Sequence, residues 1–325
     1  MKKTLIAIAL VGMIAGFTSC NKTKEGQFNP KQKISQVYQE ESDNEDGTWQ
    51  SWGRQLAEQW NWDGKKLASI QYSVWGCNET FSYDNKDRII SGTIVDASGA
   101  TLTSEYAYDG KELTSITIKK GGEITGKIEF THENGKISQF SISEMEYYWD
   151  EEDFRTSPLR CLFPERICRD IRRCQIKAEK LAKSAGKAMS TTKFNVTWDG
   201  KNISSLSTSL WGMVIKINYT YDNKINPYNH LMSTIGFSTC MEMGTFSMFN
   251  ENNPTQIHEQ ITGWGENEDM TIHYTYEYDG NYPIKATYEA PVISENWEYD
   301  PETGEENVFT TEYTERTVTE YIYSK

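Results

Sequence analysis

Variants of one short stretch, Tyr106-Ala107-Tyr108-Asp109-Gly110-Lys111-Glu112-Leu113-Thr114-Ser115-Ile116, recur along most of the chain, and this confines it to few folds. Two aromatic residues at period two suit the packed face of a pleated strand. Asp109-Gly110 offers the φ > 0 residues of a two-residue type I′ turn, and Leu113 and Ile116 begin a return strand. Each copy therefore reads as a β-hairpin. Trp60-Asn61-Trp62-Asp63-Gly64 with Leu67 is another, as are Phe81-Ser82-Tyr83-Asp84-Asn85 with Ile89 and the weaker Ile128 to Ile137. The copies lie roughly 20 to 25 residues apart, enough for two strands and two turns, which marks a repeat architecture.

The second half of the chain repeats the first. Trp198-Asp199-Gly200-Lys201 through Trp211-Gly212 aligns without a gap on Trp62-Asp63-Gly64-Lys65 through Trp75-Gly76, with about half the positions identical. Tyr219 to Lys224 then matches Phe81 to Lys86, and Tyr276 to Gly280 matches Tyr106 to Gly110, so the duplicated halves run over residues 48–148 and 191–290. A two-residue loop at Asp109-Gly110 sets Tyr106 opposite Leu113, and the same counting pairs Trp60 with Leu67 and Val196 with Ile203. In the Tyr276 copy the matching residue is Pro283, which cannot donate to a ladder, so that hairpin is expected to reach an edge or a bulge.

Between the halves the pattern breaks. An acidic run around Glu144 to Asp153 precedes a basic insert, residues 155–190. Within it Ile167, Ile171, Cys174, Ala178, Leu181 and Ala185 recur at helical steps, so a helix is expected from Pro164 to Lys183. Its apolar face either packs on the sheet or lies on anionic lipid; the packed reading is preferred, because a stripe of this width more often faces a core. After the second half, residues 291–325 supply the C-terminal strands. Val308 to Tyr323 alternates as one long strand, with Thr317, Thr319, Tyr321 and Tyr323 on one face. The expected fold is all-β: an antiparallel meander of repeated hairpins in a wound or curved sheet, with one inserted amphipathic helix.

At the N-terminus, Met1-Lys2-Lys3, an apolar run to Gly16 and Phe17-Thr18-Ser19-Cys20 read as a lipoprotein signal peptide, residues 1–19, ending in a lipobox. Cys20 would then carry acyl chains such as palmitate, tethering rather than spanning, since no later stretch reaches the ~20 apolar residues of a transmembrane helix. The polar composition of residues 20–47 suits a flexible tether, leaving residues 48–325 as the β-domain. A net charge of -14 argues against nucleic acid as a partner. Cys77, Cys161, Cys168, Cys174 and Cys240 form no C-x-x-C pair and are read as structural.

Tyr106 to Leu113 and Tyr299-Asp300-Pro301-Glu302-Thr303-Gly304 resemble the tyrosine-aspartate (YD, or RHS-type) repeats of cell-surface proteins. Together with the lipobox, the chain resembles the uncharacterised repeat-bearing lipoproteins of Bacteroides-type anaerobes. The resemblance covers most of residues 48–325 and implies sheet-building and an envelope address. It does not extend to an RHS shell or toxin: this chain is far shorter, and Glu305-Glu306 stands where that motif has Arg. Asn21 after the Cys, by resemblance to Gram-negative lipoproteins, implies the outer membrane.

His132, His230, His258 and His273 show no metal spacing, no nucleophile or phosphate-binding motif is present, and no cofactor is expected. The leading reading is therefore a non-catalytic binding or structural protein of the envelope, in contact with the membrane through Cys20. A second is a glycan-binding surface using Trp75, Trp211 and Trp264 as stacking platforms, and an envelope protein is the other candidate partner. A third, a hydrolase with acidic residues, requires two carboxylates converging in a pocket.

Overall fold

The computed structural model describes residues 25–44, 47–73, 76–95, 99–144, 162–163, 165–184, 191–210, 212–233, 247–263, 265–299 and 306–324. In chain order the strands are β1 (Ile34–Asn44), β2 (Gln50–Asp63), β3 (Lys66–Tyr72), β4 (Cys77–Tyr83), β5 (Ile89–Val95), β6 (Thr101–Asp109), β7 (Glu112–Lys120), β8 (Glu123–Glu133) and β9 (Lys136–Glu144). Helix α1 (Glu165–Ser184) follows, then β10 (Thr192–Asp199), β11 (Asn202–Leu210), β12 (Met213–Ile225), β13 (Asn252–Gly263), β14 (Glu266–Asp279), β15 (Tyr282–Tyr299) and β16 (Glu306–Tyr323). Every strand pairs antiparallel with its neighbours in sequence, and β1 pairs with β16 to close the sheet into a barrel. The expected meander is present, and its curvature goes to full closure, which leaves no edge strand.

Residues 34–44, assigned from composition to the flexible tether, instead form the strand that closes the barrel. Polar Gln36, Gln39 and Glu41 face β16 in register with Ile322, Thr319 and Thr317. Composition misled because a strand with one wet face needs few apolar residues; here Ile34 and Val37 supply the buried anchors.

The hairpin register also differs from the expected one. Asp109 stays in the ladder opposite Glu112, so Gly110-Lys111 is the loop, and Tyr108 rather than Tyr106 faces Leu113. Trp62 faces Leu67 and Trp198 faces Ile203 in the same way. The odd residue of the return strand is absorbed in a bulge, which restores Tyr106 opposite Ile116. In the Tyr106 hairpin that residue is Thr114, whose hydroxyl bonds the Ala107 carbonyl at 3.1 Å. Gly110 alone takes positive φ there, whereas the Asn134-Gly135 turn has both central residues positive, as type I′ requires. At Pro283 the anticipated bulge is found, with the shift between Glu277 and Tyr278.

Alternation sets which side chains fill the barrel. On β11 and β12, Ile203, Leu206, Leu210, Met213, Ile215, Ile217 and Tyr219 point inward and are buried, while Ser205, Ser207, Lys216, Asn218 and Thr220 point outward with one exposed apolar residue, Val214, among them. This is the reverse of a lipid-embedded barrel, whose outward positions form an apolar band. The interior is filled from both mouths. At the end carrying the Asp-Gly turns, the β12–β13 connection turns inward: Tyr228 meets Trp60 and Tyr321, and Phe249 meets Phe130 edge-on at 5.7 Å.

From the opposite end comes α1. Ile167, Ile171, Cys174 and Ala178 are fully buried, and Phe163 just before the helix packs on the stacked pair Phe140 and Phe194. Its Arg173 pairs with Glu268 of β14. The packed reading of the insert therefore holds at these residues, which are not available to lipid, while Leu181 and Ala185 of the stripe lie outside the described side chains. No helix among the described residues is long and apolar enough to cross a membrane, which says nothing about strands.

Candidate functional site

Two places concentrate polar chemistry: a closed cluster inside the barrel, and the rim formed by the hairpin turns. The interior cluster is centred on Glu58 of β2 and Glu79 of β4, both fully buried. Tyr72 Oη donates to Glu79 Oε2 at 2.6 Å, Ser233 Oγ donates to the same oxygen at 2.6 Å, and Trp60 Nε1 donates to Glu58 Oε2 at 2.8 Å. Burial first, and then the charges of Glu79 and Glu58, hold the Tyr72 phenol well above its ordinary pKa, so it stays a donor. The group joins strands to the inward-folded β12–β13 connection, and a buried polar network with bonded members specifies how the two meet.

These residues carried a sequence signal that motif searching passes over. Glu79 shares the parity of Cys77 and Phe81, and Glu58 that of Trp60, so each acid stands on the inward face of an alternating strand. They meet the hydrolase reading's demand for neighbouring carboxylates. They do not meet its demand for a pocket, because neither side chain touches solvent.

The rim shows what the repeated motif does. In six copies the second aromatic donates to the backbone carbonyl at the base of a neighbouring hairpin. Trp62 Nε1 reaches Ile34 O at 2.7 Å, Tyr83 Oη reaches Leu67 O at 2.7 Å, and Tyr108 Oη reaches Ile89 O at 2.7 Å. Trp198, Tyr221 and Tyr323 repeat this on Ile137, Ile203 and Pro283 at 2.7, 2.7 and 2.8 Å. A cation one residue before that carbonyl lies over the same ring, Lys33 on Trp62, Lys66 on Tyr83, Arg88 on Tyr108 and Lys136 on Trp198. The copies are thus clamped to one another around the rim, and burial raises the pKa of Tyr83, Tyr108 and Tyr323.

Two copies depart from the pattern: in one, Tyr276 rather than Tyr278 bonds a carbonyl, that of Pro254 at 2.8 Å, while Tyr278 donates to Asp222, and the other is the copy of His132. His132 stands where Tyr or Trp is expected, and the gap is used by the N-terminal segment that crosses the rim. Glu25 accepts from the Leu113 amide and lies 3.4 Å from His132 Nε2. Gly26 O accepts from the Ile89 amide at 3.0 Å, Gln27 Nε2 donates to Lys86 O at 2.5 Å, and Phe28 is buried against Trp60 and Trp62. This strap precedes the first repeat and was not visible as structure in its sequence.

Cys20 and the stacking candidates Trp75, Trp211 and Trp264 lie outside the described residues, as do Cys161 and Cys240. Among the described residues no group of three His, Cys, Asp or Glu side chains could hold a metal ion. The exposed tryptophan of the described residues is Trp52 on β2, 68% exposed. Beside it on the outer wall, the Arg54 guanidinium stacks 3.5 Å from the Tyr38 ring and bonds Glu320, and Arg316 stacks 3.6 Å from Trp49 and bonds Glu289.

No family model matches the chain, and no curated protein matches it. Among solved structures it is similar to a porin-like protein from Bacteroides uniformis, at 12% identity and TM-score 0.40 over 90% of this chain and 98% of that one. A porin-like protein from Bacteroides vulgatus is similar at 10% identity and TM-score 0.40, over 90% and 99% of the two chains.

Proposed function

We propose that this chain is a non-catalytic binding or structural protein of the cell envelope, standing outside the bilayer and held to it by acyl chains on Cys20. The observation that carries this is the sense of the alternation: apolar side chains fill the barrel and mostly polar ones face out, with exposed apolar residues such as Val95, Ile124, Val214 and Ile322 spread over different strands. A wall this polar is poorly matched to hydrocarbon, and the described residues of the interior are packed on one another. Membrane attachment must then come from the chain before the barrel, where the lipobox stands. The outer membrane is the address that Asn21 supports.

The test is fractionation of the wild type and of Cys20→Ser. The wild type is expected in the membrane fraction, released only by detergent, and the variant in the soluble fraction. A variant that stays in the membrane although its N-terminal peptide mass shows residues 1–19 removed would show that the barrel itself inserts and would sink the proposal.

A second reading, glycan binding, is favoured by the outer wall around Trp52, where an exposed indole stands beside two ordered arginine–aromatic stacks. A glycan array comparing the wild type with Trp52→Ala, and with alanine at Trp75, Trp211 and Trp264, separates this site from the three read from sequence.

A further inference from the structure

We infer that the barrel is held with its hairpin-turn rim toward the lipid surface, so that α1, the outer wall at Trp52 and the long β15–β16 hairpin all point away from the membrane. The inference rests on acylation of Cys20 and adds an orientation to that reading.

Its basis is where the N-terminal strap is fastened. Glu25, Gly26, Gln27 and Phe28 are bonded to or packed on residues of the turn rim, next to Tyr108, Lys86 and Leu113. A fully extended chain spans about 3.3 to 3.6 Å per residue, so the short segment from Cys20 to Glu25 reaches no more than roughly 18 Å from that point. A nine-residue strand such as β7 spans about 30 Å along its length. The anchor cannot reach past the opposite mouth, and the rim is the part of the barrel that meets the headgroups.

The rim is chemically suited to sit there without being driven there. Lys65, Lys86, Lys111 and Lys201 are exposed at the tips of its turns, and half-buried Trp and Tyr rings ring its edge. That combination is compatible with a headgroup layer. Asp63, Asp87, Asp109 and Asp199 flank the same lysines, so the rim carries mixed charge and would bind vesicles weakly by itself. At the other end, β15 and β16 run for 18 residues each, about 30 Å beyond strands of nine, and are the longest of the described strands.

The experiment uses the natively processed full chain in vesicles with an energy-transfer acceptor on the lipid headgroups. Lys111→Cys and Glu123→Cys place a donor dye at the two ends of β7; Cys77, Cys168 and Cys174 are buried, and the parent protein labelled in parallel gives the background. Transfer is expected to be high from the Lys111 position and at least several-fold lower from the Glu123 position. Equal transfer, or the reverse order, would overturn the orientation. The mass of the N-terminal peptide is measured on the same sample. An unacylated Cys20 removes the anchoring proposal and the orientation with it, whereas an acylated Cys20 with equal transfer removes the orientation alone.

Discussion

At the scale of single residues, the second aromatic of six of the repeats is a fastener between hairpins, which strand and turn preferences did not predict. Tyr108→Phe deletes one bond to a backbone carbonyl and is expected to cost about 0.5–1.5 kcal/mol in denaturant unfolding. Tyr72→Phe is expected to cost about 1–3 kcal/mol, because it leaves buried Glu79 short of a donor. Gly26 has φ +77, and a Cβ there would overlap the Tyr108 hydroxyl, so Gly26→Ala should release the strap and expose its backbone amides to faster hydrogen exchange. Asp84 gives a pH test. Burial pushes its carboxyl up, but bonds from the Arg88 and Lys86 amides and from the Arg88 guanidinium outweigh this and hold it below the usual range. A depressed folded-state pKa stabilises above the unfolded value near 4 and is lost as pH falls through the folded one. The stability gap between the wild type and Asp84→Asn should therefore be full at neutral pH and shrink as the pH falls below the unfolded value near 4.

Among elements, α1 shows how far periodicity can be read. Its boundaries and its apolar stripe were legible from three- and four-residue spacing, since amphipathic helices write their buried face into the sequence. What the stripe would meet was not legible, because sheet, lipid and partner are equally apolar. The structure sets Ile171 and Cys174 against the inside of the barrel. Ile171→Ala is expected to destabilise by about 2–5 kcal/mol as a core truncation. Burial pushes the Cys174 thiol up to about 12, so it should resist alkylation at pH 8 until denaturant unfolds the domain. The strap and β1 are the converse case: a polar segment that composition assigned to a tether, made regular because the sheet beside it offered unpaired backbone groups.

For the whole molecule, closure is the decisive property. β1 lies between β2 and β16, so removing residues 25–44 would open the barrel along two edges. The truncated chain is expected to lose its cooperative thermal transition rather than to melt a few degrees earlier. The polar exterior carries the opposite expectation for membranes: chain lacking residues 1–24 should stay soluble without detergent and give no conductance in planar bilayers. Steady single-channel steps would contradict the filled interior.

Taken by itself, the sequence determined the hairpin unit, its repetition, the antiparallel meander, the helical insert and the parity by which each strand has an apolar and a polar face. All of these are local, written in neighbours a few residues apart. Only the tertiary structure decided that the sheet closes, that the apolar face is the inside, and that Glu58, Tyr72, Glu79 and Ser233 meet there. It also decided that six of the rim aromatics fasten neighbouring hairpins. These depend on summed strand twist and on contacts between residues far apart in the chain, Ser233 lying 154 positions from Glu79, and no local pattern encodes such a distance.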